Sequence, residues 1–457
     1  MSLHDLAIRF LNISSFVYLA SCFAYIVSIA RTGKAIRTWS GIAAGLVAIG
    51  FLLHTSGLGM RWYIGGISRP PWTNLYESLI FFAWGVVVFQ VYAQYKWKMP
   101  LVGAISMPLV LILMGMSVMT PNKLVEPLIP ALQSNWLKIH VVFGMLAYGG
   151  FTLSGCFAFL HLMRNGVSLS RIGSGLAMIA LLNLFIAGGR EAYTTGDFTM
   201  AKTALRQLPD GTEIRTKDTY REYEDGPVIT RMEKVSAATV PFWASVVLFL
   251  GAAVVLWTKR RRLPGADSLV SPTTAAEAAA RGGDVEALGL GLFAGGVLGL
   301  VALFGGIGYA IHGSETLTLQ SNPYLTMLLM MTGFFCVMYL IIARRFEKFL
   351  GALPNAERLD ELSYKLVLFA FPFQTLLLVT GAVWAYSAWG RSWGWDPKET
   401  WAFITWIAYL IYLHGKLLLR WRPNWLSVMS IVGFVILVFA FLGVNLVLSG
   451  LHSYGAA

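Results

Sequence analysis

Charge is scarce in this chain. Lys, Arg, Asp and Glu supply 13% of its 457 residues while 56% are hydrophobic, against roughly 25% and 45–50% in a soluble domain. That balance excludes an ordinary soluble globule and predicts an all-α polytopic membrane protein. Cysteine is scarce too: Cys22, Cys156 and Cys336 each sit inside an apolar run, with neither the pairing pattern of a disulfide framework nor the spacing of a zinc site. The first apolar run lacks a basic leader and a small-residue cleavage site, so no cleavable signal peptide is expected. The net charge of +12 is explained by basic cytoplasmic loops and does not require a nucleic-acid partner.

Apolar stretches of about 20 residues, enough to cross the hydrocarbon core, fall near 8–30, 40–60, 77–95, 101–119, 136–163, 172–188, 238–257, 287–312, 323–343, 366–386, 400–419 and 426–450. About twelve transmembrane helices are therefore predicted. Lys and Arg concentrate between alternate spans, KRRR at 259–262 and Arg344-Arg345 among them, which places those loops in the cytoplasm and both termini outside it. Two segments interrupt the pattern. Residues 189–237, with Pro209-Asp210-Gly211 between short mixed runs, predict a small extracytoplasmic hairpin module. Residues 258–286, rich in Ala, Gly and charge, predict a flexible cytoplasmic linker.

The most distinctive stretch is WGRSWGWDPKETWAFITW, residues 389–406, with five tryptophans between two apolar runs. Asp396, Pro397 and Glu399 carry the signals of a helix start: an N-cap, proline at the first helical position and a carboxylate at the third. An interfacial aromatic belt accounts for one or two rings at a helix end, not for Trp389, Trp393, Trp395 and Trp401 within thirteen residues. Rings at this density suit a large planar apolar ligand with polar edges, and haem fits that description. Its iron needs axial ligands, commonly histidine, and its carboxylates need cations; Arg61, Arg69, Arg391 and Lys398 are the outer-side candidates, although each also suits a plain interfacial anchor.

Depth separates the seven histidines. His140, four residues into its span, and His452, just after the last span, share the level of the tryptophan loop and are the pair expected to ligate one iron there. His414 lies about 21 Å from the outer end of its helix, at 1.5 Å per residue, and an ionisable group at that depth is by default functional. His54 lies about 9 Å deep, which disfavours pairing it with His414. His161 matches His414 better, and a ligand from another subunit is equally open. His4 and His312 read as solvated. CxxCH does not occur, so the chain attaches no c-type haem to itself.

The loop followed by YLIYLH, together with PPWTNLYESLIFFAW (70–84), LQSNWLKIHVVFGMLAY (132–148), LPNAERLDELSYKL (353–366) and the final histidine, resembles the CcsA/ResC family, whose WWD-domain subunit handles haem in the system II cytochrome c synthase. Ser392 departs from the aromatic residue commoner there. The resemblance covers 1–165 and 344–457. Residues 166–343, with about four spans, lie outside the pattern and read as an insertion.

The resemblance implies a fold, a cofactor and partners. The family takes haem b from the cytoplasmic side of the bacterial inner membrane and holds it at the external WWD loop, where its vinyl groups are joined to the thiols of CxxCH in apocytochrome c. By position His140 and His452 are similar to the external axial ligands and His414 to the intramembrane one, whose opposite ligand comes from a CcsB/ResB component. Such a subunit and apocytochrome c are the implied partners, with holocytochrome c synthase (haem lyase) activity expected only alongside the first. A haem transporter without ligase activity would keep the same residues. A secondary transporter for another solute would need inverted repeats and mid-membrane helix breaks, which the sequence lacks.

Overall fold

The computed structural model describes residues 2–30, 34–66, 68–97, 101–120, 123, 125, 133–165, 169–201, 205–207, 213–215, 228–229, 232–260, 272–313, 323–344, 349–351 and 353–444. Long helices dominate: α1 (Leu3–Ala30), α2 (Lys34–Gly65), α3 (Leu75–Trp97), α4 (Leu101–Met119), α5 (Asn135–Arg164), α6 (Leu169–Thr195), α7 (Ser236–Arg260), α8 (Pro272–His312), α9 (Pro323–Ala343), α10 (Ala356–Trp389), α11 (Pro397–Leu417) and α12 (Pro423–Val438). A π-helical turn, Phe439–Gly443, follows α12. Every stretch expected to span lies on one of these helices, the last only as far as Val444. Among the described residues nine are long and apolar enough to cross a membrane; α4 has a shorter apolar stretch, and α9 and α11 are not in that set. In α11 the hydropathy is diluted by Lys398, Glu399, His414 and Lys416. The chain is an all-α polytopic membrane protein, and its three cysteines are free.

Two compact units divide the chain, one made of 1–166 with 347–456 and the other of 167–346. In the first, α3 runs parallel to α5. Gly85 meets Met145, Gly149 meets Phe89, and the Trp97 ring meets Phe157 at 6.0 Å, a constant offset of sixty residues. Antiparallel to α5 lies α10. A Cβ on Gly150 would stand 2.9 Å from that of Ala370, so only glycine lets the two backbones approach this closely. Inside lipid such small-residue contacts and buried hydroxyls replace the hydrophobic drive. Ser154 of α5 bonds Ser363 of α10 and Ser430 of α12, each at 2.9 Å, and the Phe151 and Tyr409 rings stack at 3.6 Å.

The second unit packs α6–α9 around Phe242, Phe249, Phe293 and Tyr339. Between α6 and α7, strand β1 (Thr199–Ala201) pairs antiparallel with β5 (Met232–Lys234), and β2 (Leu205–Gln207) pairs with both β3 (Glu213–Arg215) and β4 (Val228–Ile229). In the β2–β3 hairpin Gln207 faces Glu213; the Pro209-Asp210-Gly211 signal falls between them, outside the described residues. The linker expected over 258–286 is corrected in part: α7 continues to Arg260 and α8 begins at Pro272. Alanine at 275, 276 and 278–280 is the strongest of helix formers, and proline suits the first turn.

Candidate functional site

Three helix ends converge in the first unit: the start of α5, the end of α10 and the start of α11. Ser134 caps α5, its hydroxyl accepting from the Trp136 N–H, and His140 follows less than two turns later. Nδ1 of His140 donates to the Leu377 carbonyl of α10 at 2.9 Å. A carbonyl only accepts, so the neutral ring carries its proton on Nδ1 and its lone pair on Nε2, the form that ligates a metal. The ring is lodged against Gly381, where a Cβ would stand 2.9 Å from both Cε1 and Nδ1. The ring also meets Trp384 at 6.0 Å, and Trp384 meets Trp389 at 4.9 Å. Aromatic rings and a fixed imidazole thus share one surface.

The loop begins where Gly390 ends α10 in a left-handed conformation, φ 71°, which glycine adopts without steric cost. It closes on a capping box. Asp396 is the N-cap, its Oδ1 accepting from the Lys398 N–H at 3.0 Å, and Pro397 opens the helix. The Glu399 carboxylate accepts from the N–H groups of Gly394 (2.8 Å) and Asp396 (3.3 Å). These bonds satisfy donors that a helix start leaves bare, and they draw the loop back over α11. Lys398 is half-buried, and desolvation of its ammonium pushes its pKa down to about 8, with the Asp396 charge opposing.

The four loop tryptophans do not form one flat platform. Trp389 joins Trp384 beside His140. Trp393 contacts Phe403 of α11 at 6.0 Å and meets Trp395 at 90°. Trp395, 72% exposed, holds φ at 54°, a conformation costly for a bulky residue and found where a site over-determines the backbone. Trp401 turns inward onto Phe439 of the π-helical turn at 4.3 Å. π-Helical turns recur at functional sites because they re-aim the residues that follow. His452 comes nine residues after this one, outside the described residues.

The remaining predicted residues separate by environment. His414 is exposed near the end of α11, and its Nδ1 donates to the Leu410 carbonyl at 2.9 Å, again leaving the lone pair on Nε2. His161 is buried and bonded at both nitrogens: Nε2 accepts from Asn165 Nδ2 at 3.0 Å, and Nδ1 donates to the Ser427 hydroxyl at 2.8 Å. It ties α5 to α12. His54 is fully buried on α2, where Nδ1 lies 3.3 Å from the Tyr18 hydroxyl. Arg391 is exposed, its guanidinium lying over Gly394. Arg61 and Arg69 are buried around Glu77, Arg61 Nη2 at 2.8 Å and Arg69 Nη1 at 3.1 Å from the carboxylate. The sequence reading missed Trp384, Gly381, Trp72 and Glu77. For the last two a signal existed in PPWTNLYE, where Asn74 caps α3 by accepting from the Glu77 N–H. For Trp384 and Gly381 none existed.

The comparisons with known proteins bear on this arrangement. The family described as cytochrome C assembly protein matches residues 72–259 and 324–452, more than half of the chain. The cytochrome c biogenesis protein CcsA of Nostoc punctiforme is 27% identical over 90% of this chain and 87% of its own length. Those of Rippkaea orientalis and Synechocystis sp. are 27% and 28% identical over 98% and 97% of this chain and 97% and 96% of their own. Most of the 166–343 segment expected to lie outside the family pattern therefore falls within it. Its helices are apolar and carry no chemical motif by which to read them. The chain belongs to the cytochrome c assembly protein family and is an integral membrane protein with a role in cytochrome c maturation.

Proposed function

We propose that this chain moves haem b across the bacterial inner membrane and presents it at the 389–406 loop, on the extracytoplasmic side, for attachment to apocytochrome c. His140 and His452 are the axial ligands there, and Trp389, Trp393, Trp395 and Trp401 with the Asp396 cap shape the surface around the ring. His414 ligates haem at a deeper station. Its exposure on the outside of the chain favours an opposite ligand from a CcsB/ResB-like subunit, and the two engaged nitrogens of His161 favour it further. Residues 1–165 and 344–457 form the haem-handling core, and 166–343 forms a second body.

The observation that carries this reading is His140, bonded through Nδ1 to Leu377 and lodged on Gly381 beside Trp384. That geometry fits an imidazole built to ligate through Nε2, because the Leu377 carbonyl sets the tautomer and raises ligand basicity. Attachment adds each thiol of CxxCH across one vinyl group. A C–S bond forms, the thiol proton passes to the neighbouring vinyl carbon, and no net oxidation occurs. Holding thiols and vinyls together supplies much of the rate, since fixed proximity converts an encounter into an intramolecular step.

Coexpression with a CcsB-like chain and a CxxCH reporter tests the proposal. Covalent haem on the reporter is expected, lost in His140→Gly and partly restored by imidazole. Haem loading without thioether formation would make the chain a haem transporter, and maturation undiminished in His140→Gly would remove that residue from the site.

A further inference from the structure

The end of α11 away from the tryptophan loop carries cations of two kinds. Lys416 Nζ is held by Asp360 Oδ2 of α10 at 2.5 Å and lies 5.5 Å from the centre of the Tyr364 ring. Arg358 and Lys365 flank the Glu361 carboxylate in the same way, at 2.6 and 2.5 Å. These three cations are engaged. Arg420 and Arg422, just beyond the helix, are exposed, and neither guanidinium has a hydrogen bond or ion pair among the described residues.

The chain folds back here and holds Arg420 close to His414. The His414 carbonyl accepts from the N–H groups of both Leu418 and Leu419 at 3.0 Å, and the Gly415 carbonyl accepts from the Trp421 N–H at 2.8 Å. The Trp421 ring lies on Gly415, where a Cβ would stand 2.5 Å from its Cε3. Both neighbours of Arg420 are thus tied to the turn of α11 that bears His414. Arg420 stays within one to two helical turns of that residue, about 5–10 Å along the axis. The fold-back strains the backbone: Arg420 holds φ at 48°, a left-handed position that helix ends ordinarily give to glycine or asparagine. A bulky residue kept there points to a use for its side chain.

His414 itself is exposed between two apolar residues of the same helix face, Ile411 (41% exposed) one turn before it and Leu418 (70% exposed) one turn after. An axial bond is normal to the porphyrin plane, so the ring of a haem ligated here covers apolar residues of this face and one of its edges meets the end of α11. We infer that Arg420 and Arg422 bind the carboxylates of haem at His414, which holds the propionate edge away from the 389–406 loop and the vinyl edge toward it; the inference rests on the haem reading above. A guanidinium presents paired donors in the geometry a carboxylate accepts. Propionates and vinyls occupy opposite edges of the porphyrin, so fixing one edge aims the other. Lys416, engaged by Asp360, supplies no competing anchor. A lipid phosphate has the same anionic chemistry; the His414 face beside the arginines favours the haem carboxylate.

The test removes the outer site with His140→Gly and titrates the full-length chain in phosphatidylcholine nanodiscs, with imidazole supplied as the second axial ligand. The probes are ferric haem and haem dimethyl ester, which keeps the ring, vinyls and iron but has no carboxylate. Adding His414→Gly should abolish binding of both. Arg420→Gly should lower the ratio of free-acid to ester affinity roughly tenfold, the size of one charge-assisted hydrogen bond, and Arg422→Gln should lower it less, with the axial-ligand spectrum unchanged in each. Glycine suits φ 48°, so the first variant relieves strain and its lost discrimination does not come from a misfolded turn. Comparing the ratio between variants cancels the partition of each porphyrin into lipid. A ratio unchanged in both variants overturns the anchor and leaves the haem reading standing. Phosphatidylglycerol retained by the purified chain and lost in Arg420→Gly, with the porphyrin ratio unchanged, assigns the arginines to a lipid headgroup and likewise overturns it. If neither porphyrin binds in a His414-dependent way, the deeper station fails and the anchor falls with it.

Discussion

The imidazole of His140 and the main-chain carbonyl of Leu377, 237 residues apart in sequence, meet at 2.9 Å. The bond fixes which nitrogen of the ring carries a proton, and Gly381, one turn further along α10, fixes where the ring lies. Gly381→Ala places a methyl 2.9 Å from the ring and must displace it. Overpacking of this kind costs about 1–3 kcal/mol. The expected result is a folded protein with weakened haem ligation, read from the Soret band of the loaded protein. A spectrum unchanged from wild type would show that the ring position does not matter.

The capping box gives a local prediction. Asp396→Ala should cost about 1 kcal/mol at the start of α11, so amide exchange at Lys398 and Glu399 should accelerate roughly fivefold, while Asp396→Asn should retain most of the protection. Equal protection in the alanine variant would mean that packing holds the helix start without Asp396.

Trp384 and Trp395 should respond in opposite ways. Trp384 is 3% exposed between His140 and Trp389, and its replacement by alanine should cost about 3–5 kcal/mol of stability. Trp395 is 72% exposed, and Trp395→Ala should change stability by no more than about 0.5 kcal/mol while weakening haem retention. Thermal unfolding and haem off-rates on the same two variants separate the effects; a destabilised Trp395→Ala would assign that ring to structure.

Lys398 supplies the pH dependence. Desolvation lowers its pKa to about 8 from the usual lysine value of 10.5. Below about pH 8 the half-buried ammonium is charged and the loop carries the desolvation penalty. Between pH 8 and about 10.5 the unfolded chain binds the extra proton, so loop stability rises with pH across that window. Competitive acetylation of the lysines should show Lys398 titrating near pH 8, and a midpoint near 10 would refute the desolvation of its ammonium.

Helices and their ends were legible because their signals are local. Twelve helices lie on the twelve apolar stretches, and the Asp396-Pro397-x-Glu399 start occurs as read. The β2–β3 hairpin flanks its predicted turn for the same reason. The 258–286 linker was misread where composition hid helix propensity: glycine and charge suggested flexibility, and the alanine run folded as α8. Histidine depth along single helices could not tell that His161 is bonded at both ring nitrogens. Hydrogen-bond partners come from other helices, and spacing along one helix does not encode them.

By itself the sequence determined that the chain is a polytopic helical membrane protein, where its helices lie, and that an aromatic loop and a capped helix start stand at one end of α11. Hydropathy and capping act within a few residues, and those few residues are written side by side. Only the tertiary structure decided that Gly381 seats His140, that Trp401 turns inward onto a π-helical turn, and that Arg61 and Arg69 share one carboxylate. Each of these depends on which helices pack together and in which direction. Inside lipid, that choice is made by close approach of small residues and by satisfying buried polar groups, and neither leaves a period in the sequence.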